Sequence, residues 1–148
     1  MADFKIEGLE PALAKMKNLS QKMQAKGVRA AAVKAMRVVR DAARLKAKQF
    51  DDPATASNIA KNIQTRNDAK GGKRIGGVVV KVGVVGGARP AKGTVDTGHW
   101  RFLEFGNSHQ RAQPFMRPAL ENNIGKVTDT FVASLNSEID KIMAKGGL

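Results

Sequence analysis

The residues with chemical potential crowd into one stretch, HWRFLEFGNSHQRAQPFMRPALE, His99 to Glu121. It holds both histidines and four of the seven aromatic side chains, and it sets Glu104 between Leu103 and Phe105. Two histidines with Asp96 or Glu104 would offer a metal nitrogen and oxygen ligands. The spacing opposes this, because no HxH or HxxxH pair puts two ligands on one element. Ser108 beside His109 does not make a nucleophile and its base, since adjacent side chains point apart. The 13 carboxylates are scattered along the chain and do not gather into the acidic cluster a two-metal nuclease needs. Lys92 sits between Ala91 and Gly93, without the preceding glycine and following Ser/Thr of a phosphate-binding loop. There is no cysteine, hence no thiol nucleophile and no cysteine-ligated zinc. The expectation is therefore no catalytic residue, no metal, no cofactor and no enzyme. Glu104 keeps two readings. One is a buried acid with a raised pKa. The other, and the commoner, is an ion pair with an arginine such as Arg111 or Arg117.

Charge offers a different chemistry. The net charge is +13, and it is uneven: residues 1–50 carry 12 Lys/Arg against 4 Asp/Glu, whereas residues 99–148 carry 6 against 5. Such a field favours polyanions or an acidic protein surface. Its most regular part is VRAAAVKAMRVVRDAARLKAKQF. At 100° per residue, Arg37, Arg40, Arg44 and Lys48 form a basic stripe, flanked by Arg29 and Lys34, for a partner or DNA. Ala32, Met36, Val39, Ala43 and Phe50 form an apolar stripe on another side. The aromatics lie elsewhere, so the interleaving of cations and rings expected of a single-strand binder is missing.

The elements that must position these groups are read from periodicity. DFKIEGL alternates and reads as a short strand ending at Gly8. Leu9, Leu13, Met16, Leu19 and Met23 mark one helix face, with Gly27 as its C-terminal cap or a kink. DDPATAS is a proline turn, after which Ser57 caps a short helix, NIAKNI. IQTRND and VVVKVGVV read as the strands of a hairpin joined by a glycine-rich basic turn, AKGGKRIGG. Residues 86–98 form a flexible loop. Phe102–Phe105 reads as a strand that packs with Phe115–Pro118 into a joint between sheet and helix. Then Leu120, Ile124, Val127, Phe131, Leu135, Ile139 and Ile142 draw one unbroken helix stripe, with Pro118 in its first turn. The expected architecture is α+β: one domain over residues 1–148, with a small antiparallel sheet packed against two long helices. No apolar run is long enough to span a membrane, and no secretory signal pattern is present.

FLEFGNSHQRAQPFMRPALE resembles the hallmark of the bacteriophage tail-component family (HK-ninety-seven gene-product-ten-like). In that family an aromatic–acid–Phe-Gly turn and a polar loop precede Pro-Phe-Leu/Met-Arg-Pro-Ala and a long C-terminal helix. Here Phe102–Asn107 and Gln113–Glu121 carry the likeness. The order of the other elements agrees, while FDDPATASNIAKNI and VDTGHWRF depart from the family's usual segments. The resemblance implies a structural virion protein of a long-tailed phage, placed at the head–tail junction as a neck, tail-completion or tail-terminator part. It implies a homo-oligomeric ring, a hexamer, touching other neck and tail proteins, with genomic DNA as a further candidate contact, with no membrane contact, and made in the host cytoplasm. Trp100, Phe102, Glu104, Phe105, Phe115 and Arg117 are then the packing joint and subunit contact. A small basic DNA-binding protein is the alternative.

Overall fold

A computed structural model describes residues 6–50, 59–85 and 99–146. Helix α1 spans Leu9–Met16 and α2 spans Gln21–Ala47, followed by a 3-10 turn at Lys48–Phe50. Then come α3 (Ile59–Asn62), β1 (Ile63–Asn67), α4 (Ala69–Ile75), β2 (Val80–Val84), α5 (Trp100–Phe105), α6 (Met116–Glu121) and α7 (Ile124–Ala144). The α+β class holds, with long helices and one two-stranded sheet. The pairing is antiparallel: Asp68 N donates to Val79 O at one end of the ladder and Val85 N to Asn62 O at the other. The chain forms two compact units, one from residues 1–35, 67–80 and 125–148, the other from 36–66 and 81–124.

In the first unit Ala12, Leu19 and Ala31 pack with Leu135, Ile139 and Ile142 of α7. Leu9, Met16, Met23, Val28 and Phe131 close around them, so most of the apolar face read between Leu9 and Met23 does face a core. Two exposed-to-half-buried ion pairs, Lys34–Glu138 at 2.8 Å and Lys15–Asp140 at 2.9 Å, edge the same packing. The hydrogen bond from Lys34, aided by Lys141, holds the Glu138 carboxyl below its ordinary pKa despite partial desolvation.

Several boundaries differ from the periodicity. The expected N-terminal strand lies largely outside the described residues; Glu7 and Gly8 form a turn, with Gly8 at φ 80° leading into α1. The first helix breaks not at Gly27 but at Lys17–Ser20. Ser20 Oγ accepts Met23 N–H at 3.3 Å, while Gln24 Nε2 donates to the carbonyls of Met16 and Leu19, both at 2.9 Å. Cap chemistry thus overrides an apolar stripe that runs straight through the gap. Gly27 lies inside α2, and a Cβ there would meet Ile142 Cδ1 at 3.5 Å, an ordinary contact. Gly27→Ala should therefore stabilise the protein by about 1 kcal/mol, the helix-propensity difference. A fall in melting temperature would restore the capping role.

The buried line of α2 is Ala31, Ala35, Val39, Ala43 and Ala47, a step of four, so Ala32 and Met36 are only half-buried. AKGGKRIGG is not a plain turn. Its first seven residues are α4, because Asp68 Oδ1 accepts Gly71 N–H at 2.9 Å and starts the helix. The glycines are needed for space: a Cβ on Gly72 would stand 2.7 Å from Gly77 O. The last helix is interrupted at Asn122–Asn123, where Asn123 Nδ2 bonds to Ala119 O and the backbone closes with a tighter turn. That break leaves Leu120 and Ile124 exposed, whereas Leu135, Ile139 and Ile142 are buried as the stripe requires. The proline turn with its Ser57 cap and the loop 86–98 lie outside the described residues.

Candidate functional site: a carboxylate-locked helix joint

The aromatic stretch folds as helix, turn, helix. Phe102–Phe105 is part of α5 and not a strand. Six residues with apolar groups on several sides fit either period, and the Gly106 N–H bonding to Phe102 O settles the helix. Gly106 ends it at φ 72°, ψ 173°, a conformation reserved for glycine. A Cβ there would also stand 2.8 Å from Ala112 N. The chain then doubles back: Asn107 N and Gln110 O bond at 2.9 Å, His109 N donates to Asn107 Oδ1, and Gln113 N donates to Leu103 O at 2.7 Å.

This return places Glu104 against the start of α6. Its Oε2 accepts the N–H groups of Phe115 at 2.8 Å and Met116 at 2.9 Å, and its Oε1 accepts that of Arg117 at 3.0 Å. A helix begins with four N–H groups that have no partner within it. Here the fourth position is Pro118, which has none. One carboxylate from another helix therefore satisfies every donor that the first turn of α6 presents. Arg117 completes the lock from the outside, with Nε donating to Glu104 Oε1 at 3.2 Å and Nη2 to Glu104 O at 3.0 Å. Glu104 is 1% exposed. Burial pushes its pKa up and is the largest single influence. The N–H groups of Met116, Arg117 and Phe115 with the Arg117 side chain together outweigh it, so its pKa lies below the ordinary 4.5. The raised-pKa acid is thus excluded, and the ion pair is with Arg117.

Around this lock the aromatics divide. Phe115 is fully buried, with its ring 6.2 Å from that of Phe50. Phe102 and Phe105 are 51% and 61% exposed. Trp100 stands 6.4 Å from Phe105, and the Arg117 guanidinium lies 5.3 Å over the Phe105 ring. Of the six residues read as one joint, Trp100, Glu104, Phe105, Phe115 and Arg117 are linked by hydrogen bonds or ring contacts, while Phe102 stands exposed on α5. His99 and His109 are exposed, and among the described residues no cluster of three or more His, Asp or Glu could hold a metal.

The basic stripe is less uniform than its spacing suggests. Arg44 donates from Nε and Nη2 to Ile63 O at 3.0 and 2.7 Å, which ties α2 to the start of β1. Arg40 pairs with its neighbour Asp41 at 2.8 Å. Arg37 and Lys48 are exposed and have no carboxylate partner among the described residues. Sequence reasoning missed the backbone role of Arg44, since a carbonyl acceptor on another segment leaves no mark in a charge pattern.

Fold and site together define a small basic α+β protein whose most elaborate polar constellation builds a rigid joint. The chain belongs to the phage tail-component family: the model described as "Bacteriophage HK97-gp10, putative tail-component" matches residues 11–106. That match includes α5 and Gly106 and stops before the Pro-Phe-Met-Arg-Pro segment. No curated protein and no solved structure matches the chain. No helix among the described residues is long and apolar enough to cross a membrane.

Proposed function

We propose that this chain is a structural virion protein that forms a ring, a hexamer, at the head–tail junction of a long-tailed phage and joins tail to head. The observation that carries the proposal is the family match to tail components over residues 11–106. The joint supports it in kind. Glu104 holds α5 and α6 in one geometry while Phe102 and Phe105 stay exposed beside Arg117. Rigid aromatics next to an arginine suit the core of a protein contact, and a ring needs one such patch to meet a different patch on the next subunit. Arg37 and Lys48, the unspent part of the α2 stripe, then face an acidic surface on an adjoining neck or tail protein.

A phage deleted for this gene should accumulate filled heads and separate tails, with joining restored in trans by the wild-type chain. Joined virions without the protein would rule the reading out. Phe102→Glu should leave stability within about 0.5 kcal/mol, as for an exposed position. The same variant should remain a monomer by light scattering and fail to complement. A second reading, a DNA-binding protein acting on its own, draws on the net charge of +13. It requires retention on DNA at physiological salt together with normal joining in the deletion phage.

A further inference from the structure

A second basic surface lies in the first unit. A cavity of about 610 Å³ opens between α2 and the α4 segment. On its walls α2 places Gln21, Ala25 and Val28, and α4 with its C-cap places Ala69, Gly72 and Gly76. Lys22, Lys26 and Arg29 each follow a wall residue of α2 by one position, so they form a row about 100° round the helix. That row runs about 10 Å at 1.5 Å per residue. Lys70 and Arg74 stand in the same relation to Ala69 and Lys73 on α4, and Lys73 and Arg29 themselves line the cavity. All six cations are exposed, and none has a carboxylate partner among the described residues. The acid lining the cavity is Asp68, whose Oδ1 is taken by Gly71 N–H. These six exposed cations on two helices, of which Arg29 and Lys73 line the cavity, repel one another and need a polyanion or full hydration.

We infer that this two-rimmed groove is a sequence-independent site for the phosphate backbone of duplex DNA. Among the described residues no aromatic ring lines it, so bases have nothing to stack on there and a single strand gains little. Beside Gly76 the wall has open space where a Cβ would stand, and the exposed cations follow two helix rows, which suits a linear polyanion. The inference goes beyond the neck reading: binding by the purified protein can fail with joining intact, and joining can fail with binding intact.

The test is fluorescence anisotropy of the purified full chain with a 30-base-pair duplex between 50 and 200 mM salt. Each lost phosphate contact lowers the slope of log K against log salt by about 0.9. Lys70→Gln/Lys73→Gln/Arg74→Gln should therefore lower it by about 2 to 3 and weaken binding at least tenfold at 100 mM salt. Lys22→Gln/Lys26→Gln/Arg29→Gln, on the other rim, should do the same, with melting temperatures unchanged in both. Removing two charges elsewhere, Arg37→Gln/Lys48→Gln, should change affinity less than twofold. Failure of the wild type to bind at 50 mM salt would overturn the site. So would equal losses per charge in all three variants, which would mean net charge alone. Competition by poly-glutamate as effective, charge for charge, as unlabelled duplex would overturn it in favour of an acidic protein partner.

Discussion

Glu104→Ala should lower unfolding free energy by about 3–5 kcal/mol, the scale for leaving two or three buried or half-buried N–H groups unsatisfied at about 1–3 kcal/mol each. The variant leaves the N–H groups of Phe115, Met116 and Arg117 without the acceptor that now takes all three. Phe115 is fully buried, so water cannot replace the lost oxygen there without opening the joint. Glu104→Gln tests the charge separately. It keeps the shape but offers one carbonyl oxygen where the carboxylate offers two, and it turns an NH2 toward N–H donors. Its deficit should be smaller than that of Ala and should depend on pH. Because the folded pKa of Glu104 lies below 4.5, its ionisation stabilises the fold fully above that value. The contribution is lost as pH falls through the folded pKa, so the gap between wild type and Glu104→Gln should narrow in acid. Glu138, also shifted down, is common to both proteins and cancels in the comparison. Chemical denaturation at pH 7 and below pH 4 reads both effects; a gap constant across that range would mean that folding does not shift the carboxyl pKa, and a gap that widens in acid would mean that folding raises it.

The same joint marks how far residues alone could be read. β1, β2 and the two long helices follow from β-branched runs and a period near 3.6, and the structure keeps them. What periodicity could not supply is the contribution of hydrogen bonds between segments. Ser20, Gln24, Asp68 and Asn123 each redirect the backbone through one or two side-chain bonds. The apolar stripes run through or past these positions unchanged. Phe102–Phe105 was ambiguous for a different reason: four residues carry too little of either period. Glu104 was visible as an acid in apolar surroundings, and Pro118 as a first-turn residue. Their relation was not visible, because it depends on Gly106 turning the chain so that Oε1 and Oε2 meet donors 11 to 13 residues away. The Glu-Phe-Gly and Pro-Phe-Met-Arg-Pro segments thus acquire a physical meaning as acceptor, turn, buried anchor, outer clamp and missing donor.

Phe115→Ala carries the other large effect, a loss of about 3–5 kcal/mol, as for a fully buried phenylalanine in a site that cannot collapse. Its ring is fully buried and meets Phe50 at 6.2 Å with the planes tilted by 53°, within the centroid range of an interacting aromatic pair. Phe50 is only half-buried, so Phe50→Ala should cost less than Phe115→Ala. The double variant should recover about 0.5–1.5 kcal/mol of coupling, the usual value for an aromatic pair. Phe115→Leu, which keeps most of the volume, should fall well short of the alanine deficit. The series separates two ways of building the joint. If apolar packing sets the position of α6, Phe115→Ala should loosen the Glu104 bonds as well, and the amides of Met116 and Arg117 should lose hydrogen-exchange protection. If the carboxylate sets it alone, those amides stay protected while stability falls. The burial of Phe115 directly beside the capped N–H groups favours the first outcome. An unchanged melting temperature in Phe115→Ala would refute both.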